Sequence, residues 1–277
     1  MPLCARRLIR KMRGGAQSHL MEADDGHYYV VKFSNNPQHR RILVNEWISC
    51  VLLRYLQVHV PETAIIHLSA SSIAEMPDLN VVRGSTREPP MPGPHFGSRV
   101  AVNPDRVAIY DFLPDALLGK IENRWDFLGA LVFDKWACNA DSRQSIFFRA
   151  KAKTWTPLKG DAPARVGFFA QMIDHGFAFN GPHWSYPDSP MQGVYFRSSV
   201  YEEVTSLDSF QPWLDLVRHF PIEVIDEAWK QIPPAWIEGE EDQLQALLEV
   251  LMKRRARVDQ LITNVRETRP AIFPNWK

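Results

Sequence analysis

The chain has 277 residues, of which 45% are hydrophobic and 23% are charged. This composition excludes a disordered or fibrous protein and indicates one large globular domain or two small lobes. Lysine and arginine together number 32, as do aspartate and glutamate, so no net charge attracts the chain to nucleic acid or to an anionic membrane. Any anionic ligand must therefore be held by a local site.

The cysteines and the start of the chain bear on its cellular compartment. Cys4, Cys50 and Cys138 are widely separated and form no Cys-x-x-Cys pair, which argues against a disulfide framework or a thiolate zinc site. The first residues lack the apolar stretch of a secretory signal, and no membrane-spanning apolar run follows. We therefore expect a cytoplasmic protein.

Three short segments near the start have the composition of strands and predict a β meander. The predicted strands are Arg7–Met12, Ser18–Ala23 and His27–Phe33. Gly14 and Gly15 lie in the turn between the first two strands, and Asp25-Gly26 forms the tight turn before the third.

A helix is predicted over Arg41–Gln57, where apolar residues recur at helical spacing. Short β-branched runs in residues 63–75 and 98–112 predict further strands. Between them, Pro77–Gly97 contains four prolines after residue 88 and is expected to be a long irregular loop.

The second half of the chain is predicted to be mainly helical. Its predicted helices are Asp126–Cys138, Val200–Arg218, Ile222–Gln231 and Gln243–Asn264, and its two predicted strands, joined by a hairpin loop, are Ser145–Arg149 and Phe168–Ile173. These elements predict a two-lobed α+β fold. We expect a small β-rich lobe over residues 1–112 and a larger, mostly helical lobe over residues 113–277.

Lys32 and Glu46 are the first candidate functional pair. Lys32 ends an apolar strand, where a solvated lysine is the ordinary alternative. Glu46, however, lies on an apolar stripe of the next helix, and a buried carboxylate needs a cationic partner. A strand lysine paired with a helix glutamate, after a glycine turn, is typical of the phosphate-binding apparatus of kinases. Gly14-Gly15 is equally compatible with an ordinary turn.

Two carboxylates in the second half are the next candidates. Asn139-x-Asp141 follows a predicted helix and precedes a strand, which places the Asp141 carboxylate on a loop fixed at both ends, where it can accept a proton. Asp174-His175-Gly176 follows a strand, an arrangement that presents the Asp174 carboxylate to phosphate-bound Mg²⁺. His175 is interpreted as structural, and simple turns remain the alternative for both segments.

Taken in order along the chain, these residues resemble the HipA-like kinases, relatives of the HipA toxin kinase and, more remotely, of phosphoinositide kinases. Asp134-x4-Asn139-x-Asp141 is similar to the catalytic segment of that family. Val30–Asn36 with Leu43–Glu46 is similar to its N-terminal lobe, and His95–Arg99 resembles one of its loops. The resemblance covers about residues 5–180.

The resemblance implies a protein-kinase-like fold that binds ATP and Mg²⁺ between its lobes and phosphorylates a hydroxyl group, the acceptor being a protein serine or threonine. Lys32 would bind the ATP phosphates, Glu46 would orient Lys32, and Asp174 would bind Mg²⁺. Asp141 would be the catalytic base, with Asn139 beside it in the catalytic segment. The remaining expected nucleotide contacts are Gly14, Gly15 and the hinge residues Tyr110, Asp111, Phe112 and Leu113.

One position departs from the family pattern. Five residues after Asp141, where the family has a second metal-binding asparagine, this chain has Ile146. Gln144 or Asn139 is then the alternative source of a neutral oxygen for the metal, although glutamine is a weaker Mg²⁺ ligand than a carboxylate.

The departure leaves three functions open. The first is a kinase of reduced activity with a protein substrate or partner and no contact with nucleic acid or membrane. The second is a nucleotide-binding pseudokinase whose helical half serves as a protein-interaction module. The third is a small-molecule or lipid kinase, against which the absence of a basic membrane-binding face counts.

Overall fold

A computed structural model describes residues 3–155 and 166–277 of the chain. Its first seven strands are β1 (Leu3–Lys11), β2 (His19–Ala23), β3 (Tyr28–Lys32), β4 (Thr63–Leu68), β5 (Val81–Arg83), β6 (Thr86–Glu88) and β7 (Gly93–Arg99). Five of them close into a small barrel in the order β1-β2-β3-β7-β4. The predicted meander is present as the antiparallel strands β1, β2 and β3 of this barrel.

Strand β3 has protein on both of its faces. Because successive strand residues point in opposite directions, Val31 enters the barrel core with Met21 and Phe33, while Lys32 points to the other side. That side is covered by helix α1 (Arg41–Tyr55), which carries Glu46. This is why a lysine at the end of β3 is buried rather than solvated.

Helix α1 is buried along most of its length. Residues far along the chain cover its N-terminal half: the Arg40 guanidinium donates to the carbonyls of Ala235 and Glu238, at 3.2 and 2.9 Å. Arg41 pairs with Glu240 at 3.0 Å. The first turn of α1 is thus held by the C-terminal part of the chain.

The prediction that Pro77–Gly97 is an irregular loop is wrong. The segment contains the β5–β6 hairpin and most of β7, which pairs antiparallel with both β3 and β4. Gly93, Pro94 and Gly97 interrupt the usual strand composition and conceal β7 in the sequence. Gly97 allows a close approach, since a Cβ there would lie 2.6 Å from Cγ1 of Ile66.

The expected strand over residues 98–112 is also mostly absent. Apart from Ser98 and Arg99, which end β7, only Ile109–Tyr110 forms a strand, β8, which pairs antiparallel with the strand Gln144–Lys151. Likewise only Thr63–Leu68 of residues 63–75 is a strand, and the short helix α2 (Ala70–Ala74) follows it.

The second half begins with two helices and a small antiparallel sheet. Its elements are α3 (Asp115–Leu118), α4 (Asp126–Trp136), β9 (Gln144–Lys151), α5 (Ala152–Trp155) and β10 (Val166–Ile173). The two predicted strands correspond to β9 and β10, which pair so that Gln144 lies opposite Ile173. The predicted loop between them falls largely on residues 156–165, outside the described residues.

The remaining helices pack on α1 and α4 in one apolar core. They are α6 (Trp213–Arg218), α7 (Ile222–Lys230), α8 (Pro234–Ile237), α9 (Glu241–Arg254) and α10 (Val258–Thr268). The helix predicted over Val200–Arg218 is mostly irregular, with two short 3₁₀ turns before α6. The helix predicted over Gln243–Asn264 is two helices, because its apolar stripe continues through the tight turn at Arg255–Arg257.

Within residues 3–155 and 166–277, no helix is both long enough and apolar enough to cross a membrane. The lobe boundary between residues 112 and 113 stays a prediction.

Candidate active site

Lys32 lies at the end of β3, and its ammonium group is enclosed by two carboxylates. Its Nζ donates to Oε1 of Glu46 on α1 and to Oδ1 of Asp174, 2.8 Å away, directly after β10. The side chains of Lys32 and Glu46 are 8% and 3% exposed, whereas that of Asp174 is 35% exposed. The alternative of a solvated strand lysine is therefore wrong, and only Asp174 of the three faces solvent appreciably.

Lys32 and its two carboxylate partners shift one another's pKa values. Burial alone lowers the pKa of the Lys32 ammonium, but the carboxylates of Glu46 and Asp174 outweigh burial and hold that pKa above its ordinary value. Lys32 in turn holds the pKa of the Asp174 carboxyl below its usual range. A permanent cation therefore stands beside an ionised, accessible carboxylate, which is suited to binding a phosphate and its metal ion.

The loop after α4 is organised around the buried carboxylate of Asp134. Arg143 donates Nε to Oδ2 of Asp134 at 2.8 Å and Nη2 to Oδ1. The side-chain amide of Asn139 donates to Oδ1 at 3.0 Å. Burial raises the pKa of Asp134, and the bonds from Arg143 and Asn139 counteract it. These contacts hold residues 134–143 as one closed loop around an ion pair.

Asp141 lies half-buried on this loop. Its backbone N–H donates to Oδ1 of Asn139 at 3.2 Å, and its carboxylate accepts from the Ser142 N–H at 2.7 Å. Nε2 of the exposed Gln144 also donates to the Asp141 carboxylate, at 3.3 Å. The carboxylate is thus fixed in direction yet accessible, as a group that accepts a proton from a hydroxyl must be. Asn139 itself is fully buried, and both ends of its amide are bonded inside the loop.

Two connections tie the Asp141 loop to the Asp174 loop. Arg143 donates Nη1 to the carbonyl of Ile173 at 3.0 Å and contacts Nδ1 of His175 at 2.9 Å. Burial, with the positive charges of Arg143 and Lys32, holds the pKa of His175 well below its usual range. A backbone ladder adds three bonds: Ala140 N–H to Phe177 O at 2.9 Å, Phe179 N–H to Ala137 O at 2.8 Å, and Asn180 N–H to Cys138 O at 3.0 Å.

The predicted nucleotide contacts outside these loops are in the glycine turn and the hinge. Gly14 and Gly15 are exposed in the turn between β1 and β2, and no hydrogen bond or ion pair of the described residues joins that turn to Lys32. Gly14 has a φ of 115°, which favours glycine. In the hinge, three residues are exposed and one enters the core: Tyr110, Asp111 and Phe112 are exposed, and Leu113 is buried.

Two residues that the structure places at this site are absent from the sequence-based site, Arg143 and Asn45. Arg143 is buried in the ion pair described above, and Asn45 is buried on α1 beside Glu46. The available sequence signal for Asn45 is a polar residue inside an apolar helical run. Such a signal shows burial without showing a partner.

The fold that carries this site is that of a kinase. The structure matches a crystal structure of the Golgi casein kinase with a TM-score of 0.52 at 12% identity, covering 96% of this chain and 72% of that one. A second structure, the Golgi casein kinase with Mn and ADP bound, gives a TM-score of 0.48 at 11% identity, with coverage of 97% and 73%. The predicted two-lobed, protein-kinase-like α+β fold is confirmed.

The family model of the HipA-like kinases matches residues 6–264. The chain therefore belongs to the HipA-like kinase family, as the resemblance predicts. No curated protein matches the chain.

Proposed function

We propose that the protein is an ATP-dependent kinase that transfers the γ-phosphoryl group to a serine or threonine hydroxyl of a protein in the cytoplasm. The observation that carries the proposal is the buried Lys32 ammonium held between Glu46 and the accessible Asp174 carboxylate. A buried cation beside an accessible carboxylate is suited to binding the phosphates of a nucleotide together with their metal ion.

Lys32 would donate to the phosphate oxygens of ATP, while Glu46 keeps the ammonium group directed into the cleft. The adenine would lie near the hinge Tyr110–Leu113, between lobes that divide at residues 112 and 113, and Gly14 and Gly15 would cover the phosphates. The balanced charge of the chain favours a protein acceptor over nucleic acid or a membrane lipid.

The side chains on the accessible side of the site fit Mg²⁺. The carboxylates of Asp174 and Asp141 and the amide of Gln144 offer only oxygen ligands among their metal-binding atoms, and Mg²⁺ prefers oxygen. Asp174 would be the principal ligand, with Gln144 as a weaker one. A bound Mg²⁺ neutralises charge on the phosphates.

Asp141 would act as the base of the transfer. The acceptor oxygen forms a bond to the γ-phosphorus as the bond from that phosphorus to the ADP oxygen breaks, and the hydroxyl proton passes to the Asp141 carboxylate. Asn139, bonded to both Asp134 and the Asp141 N–H, would shape the loop that directs this carboxylate.

Calorimetric titration with ATP, with and without Mg²⁺, tests the proposal. We expect Mg²⁺ to strengthen ATP binding by the wild type, and Asp174→Asn to abolish that Mg²⁺ dependence, because the amide removes the negative charge that attracts the metal. Asp226→Asn, an exposed position on α7, is the matched control. Undiminished Mg²⁺ dependence in Asp174→Asn would show that the metal is held elsewhere.

A nucleotide-binding pseudokinase is the second candidate, and Ile146 is the observation that favours it. Ile146 follows Gln144 by two residues on β9, so the two side chains share one face of the strand. An aliphatic side chain at that place gives the metal no oxygen, and loss of one electrostatic group costs about 10²–10³ in rate.

Replacing Ile146 separates the two candidates. We expect Ile146→Asn to increase autophosphorylation measured by mass spectrometry, because it adds an amide oxygen on the face that carries Gln144. Ile146→Leu is the control, since it changes the side chain without adding an oxygen. No phosphorylated species in either the wild type or Ile146→Asn, with ATP binding intact, would favour the pseudokinase.

A further inference from the structure

One stripe of helix α1 is in contact with the chain that follows Asp174. Ile42 and Glu46 lie one turn apart and face the start of this segment, where a Cβ on Gly176 would meet Cγ2 of Ile42 at 2.6 Å. Arg41 and Asn45 form the neighbouring stripe and contact its later residues. The helix that carries Glu46 therefore packs directly on the loop that carries Asp174.

Asn45 makes the densest set of polar contacts between α1 and this segment. Its side-chain amide nitrogen lies within hydrogen-bond distance of three carbonyl oxygens, of Gly176 at 2.7 Å, Ala178 at 3.0 Å and Gly181 at 3.0 Å. Its Oδ1 accepts from Nε1 of Trp184 at 2.8 Å. Asn45 is fully buried, so water cannot take the place of any of these bonds if it is lost.

Trp184 is held in turn by α1. The Arg41 guanidinium stacks on its ring, 4.2 Å from the ring centroid, and donates Nη1 to the carbonyl of Pro182 at 2.9 Å. The far end of the segment, at Pro182 and Trp184, is thus held against α1 by Arg41 and Asn45.

The segment that Asn45 holds contains unfavourable backbone conformations. Asp174, Phe179 and Asn180 have φ values of 56°, 59° and 59°. A positive φ is unfavourable for phenylalanine and tolerated better by aspartate and asparagine, so Phe179 in particular keeps its conformation only because surrounding contacts determine it. On one side those contacts come from Arg143 and the Ala137–Ala140 backbone. On the other side they come from Asn45.

We infer that Asn45, with Trp184 as its partner, is a positioning residue that fixes the direction of the Asp174 carboxylate by holding residues 176–184 against α1. The inference rests on the proposed role of Asp174 in metal binding. It makes the Lys32–Glu46 pair and the Asp174 loop a single rigid unit, assembled before nucleotide binds.

Trp184→Phe is the decisive variant, because it removes the N–H that bonds Asn45 and keeps an aromatic ring for Arg41. It also loses one of the two indole rings, so its control must lose the same volume. We expect amide hydrogen exchange at Phe179 and Asn180 in the unliganded protein to become about three- to tenfold faster, the effect of one lost hydrogen bond. ATP affinity in Mg²⁺ should fall by a similar factor, while ATP affinity in EDTA should stay within about twofold of wild type.

Trp213→Phe is the matched control. Nε1 of Trp213 donates to the carbonyl of Leu56 at 3.1 Å, at the opposite end of the same helix. This variant loses an equivalent indole bond to the helix without touching the Asp174 loop. We expect it to leave both the exchange at Phe179 and Asn180 and the Mg²⁺ dependence of ATP binding unchanged.

Asn45→Asp gives a second, stronger change, since it keeps the acceptor for Trp184 but loses both amide hydrogens and places a carboxylate against three carbonyl oxygens. It should show a larger loss of Mg²⁺-dependent binding; if it does not fold, the Trp184→Phe result decides. The inference would be overturned if Trp184→Phe kept the wild-type exchange rates at Phe179 and Asn180 and the wild-type Mg²⁺ dependence of ATP binding. It would also be overturned if Trp213→Phe changed both quantities as much as Trp184→Phe does. A wild type that binds no ATP would overturn the proposed function instead, and the exchange rates would still test the Asn45 contacts.

Discussion

Asp141→Ala is expected to lower phosphoryl transfer by about 10²–10⁴-fold, the usual contribution of a positioned general base. The fold should survive, because the Asp141 side chain is half-buried and its hydrogen bonds among the described residues go to the neighbouring Ser142 and Gln144. ATP binding should stay within about twofold of wild type, since Lys32, which would bind the phosphates, and Asp174, the proposed principal metal ligand, are unchanged.

Single-turnover transfer from radiolabelled ATP, followed beside calorimetric ATP binding, measures both quantities. Asp208→Ala, which removes a carboxylate from a 3₁₀ turn far along the chain, controls for the loss of one negative charge. Transfer at the wild-type rate in Asp141→Ala would remove Asp141 from the mechanism. A parallel loss of ATP binding would assign it to nucleotide binding instead.

Arg143→Met is expected to destabilise the folded protein by about 3–5 kcal/mol, the cost of leaving one partner of a buried ion pair without the other. The side chains of Arg143 and Asp134 are 1% and 0% exposed, and Arg143 also bonds the carbonyl of Ile173. Methionine fills much of the volume, so the loss comes from the uncompensated Asp134 carboxylate. Urea denaturation gives the free energy of unfolding.

Two comparisons make this result specific. Adding Asp134→Leu to Arg143→Met removes the unpaired charge and should recover part of the stability. Arg218→Met breaks pairs with Asp215 and Asp259 at a side chain that is 39% exposed, and should cost no more than about 1 kcal/mol. Equal losses at Arg143 and Arg218 would contradict a buried, coupled pair.

The sequence predicts the Lys32–Glu46 pair because both residues obey simple periodicities. Val31 and Lys32 alternate along a strand, and Glu46 repeats with apolar neighbours on a helix, so burial on facing surfaces follows from local pattern alone. Asp141 and Asp174 are found for a similar reason. Asp174 directly follows a strand and Asp141 lies on the loop between a helix and a strand, and such loops carry functional side chains.

Other parts of the structure depend on contacts that no local pattern contains. Strand β7 is assigned to a loop because Pro94 and its glycines are poor strand formers, yet pairing with β3 and β4 on both sides overrides that preference. Asn45 bonds residues more than 130 positions away. Its function is visible only once α1 and the segment after Asp174 are seen together.

The contacts between the first turn of α1 and the C-terminal part of the chain also affect the order in which this chain can fold. Arg40 and Arg41 bond residues 195 to 199 positions further on. During synthesis, at about 5–20 residues per second, Arg40 therefore leaves the ribosome at least about 10 s before Ala235 of α8 can reach it. Until then the first turn of α1 lacks the contacts of Arg40 with Ala235 and Glu238 and of Arg41 with Glu240. The packing of α1 is thus completed only after α8 has been made, and a nascent chain that ends before α8 leaves the first turn of this helix partly uncovered, where a chaperone can bind.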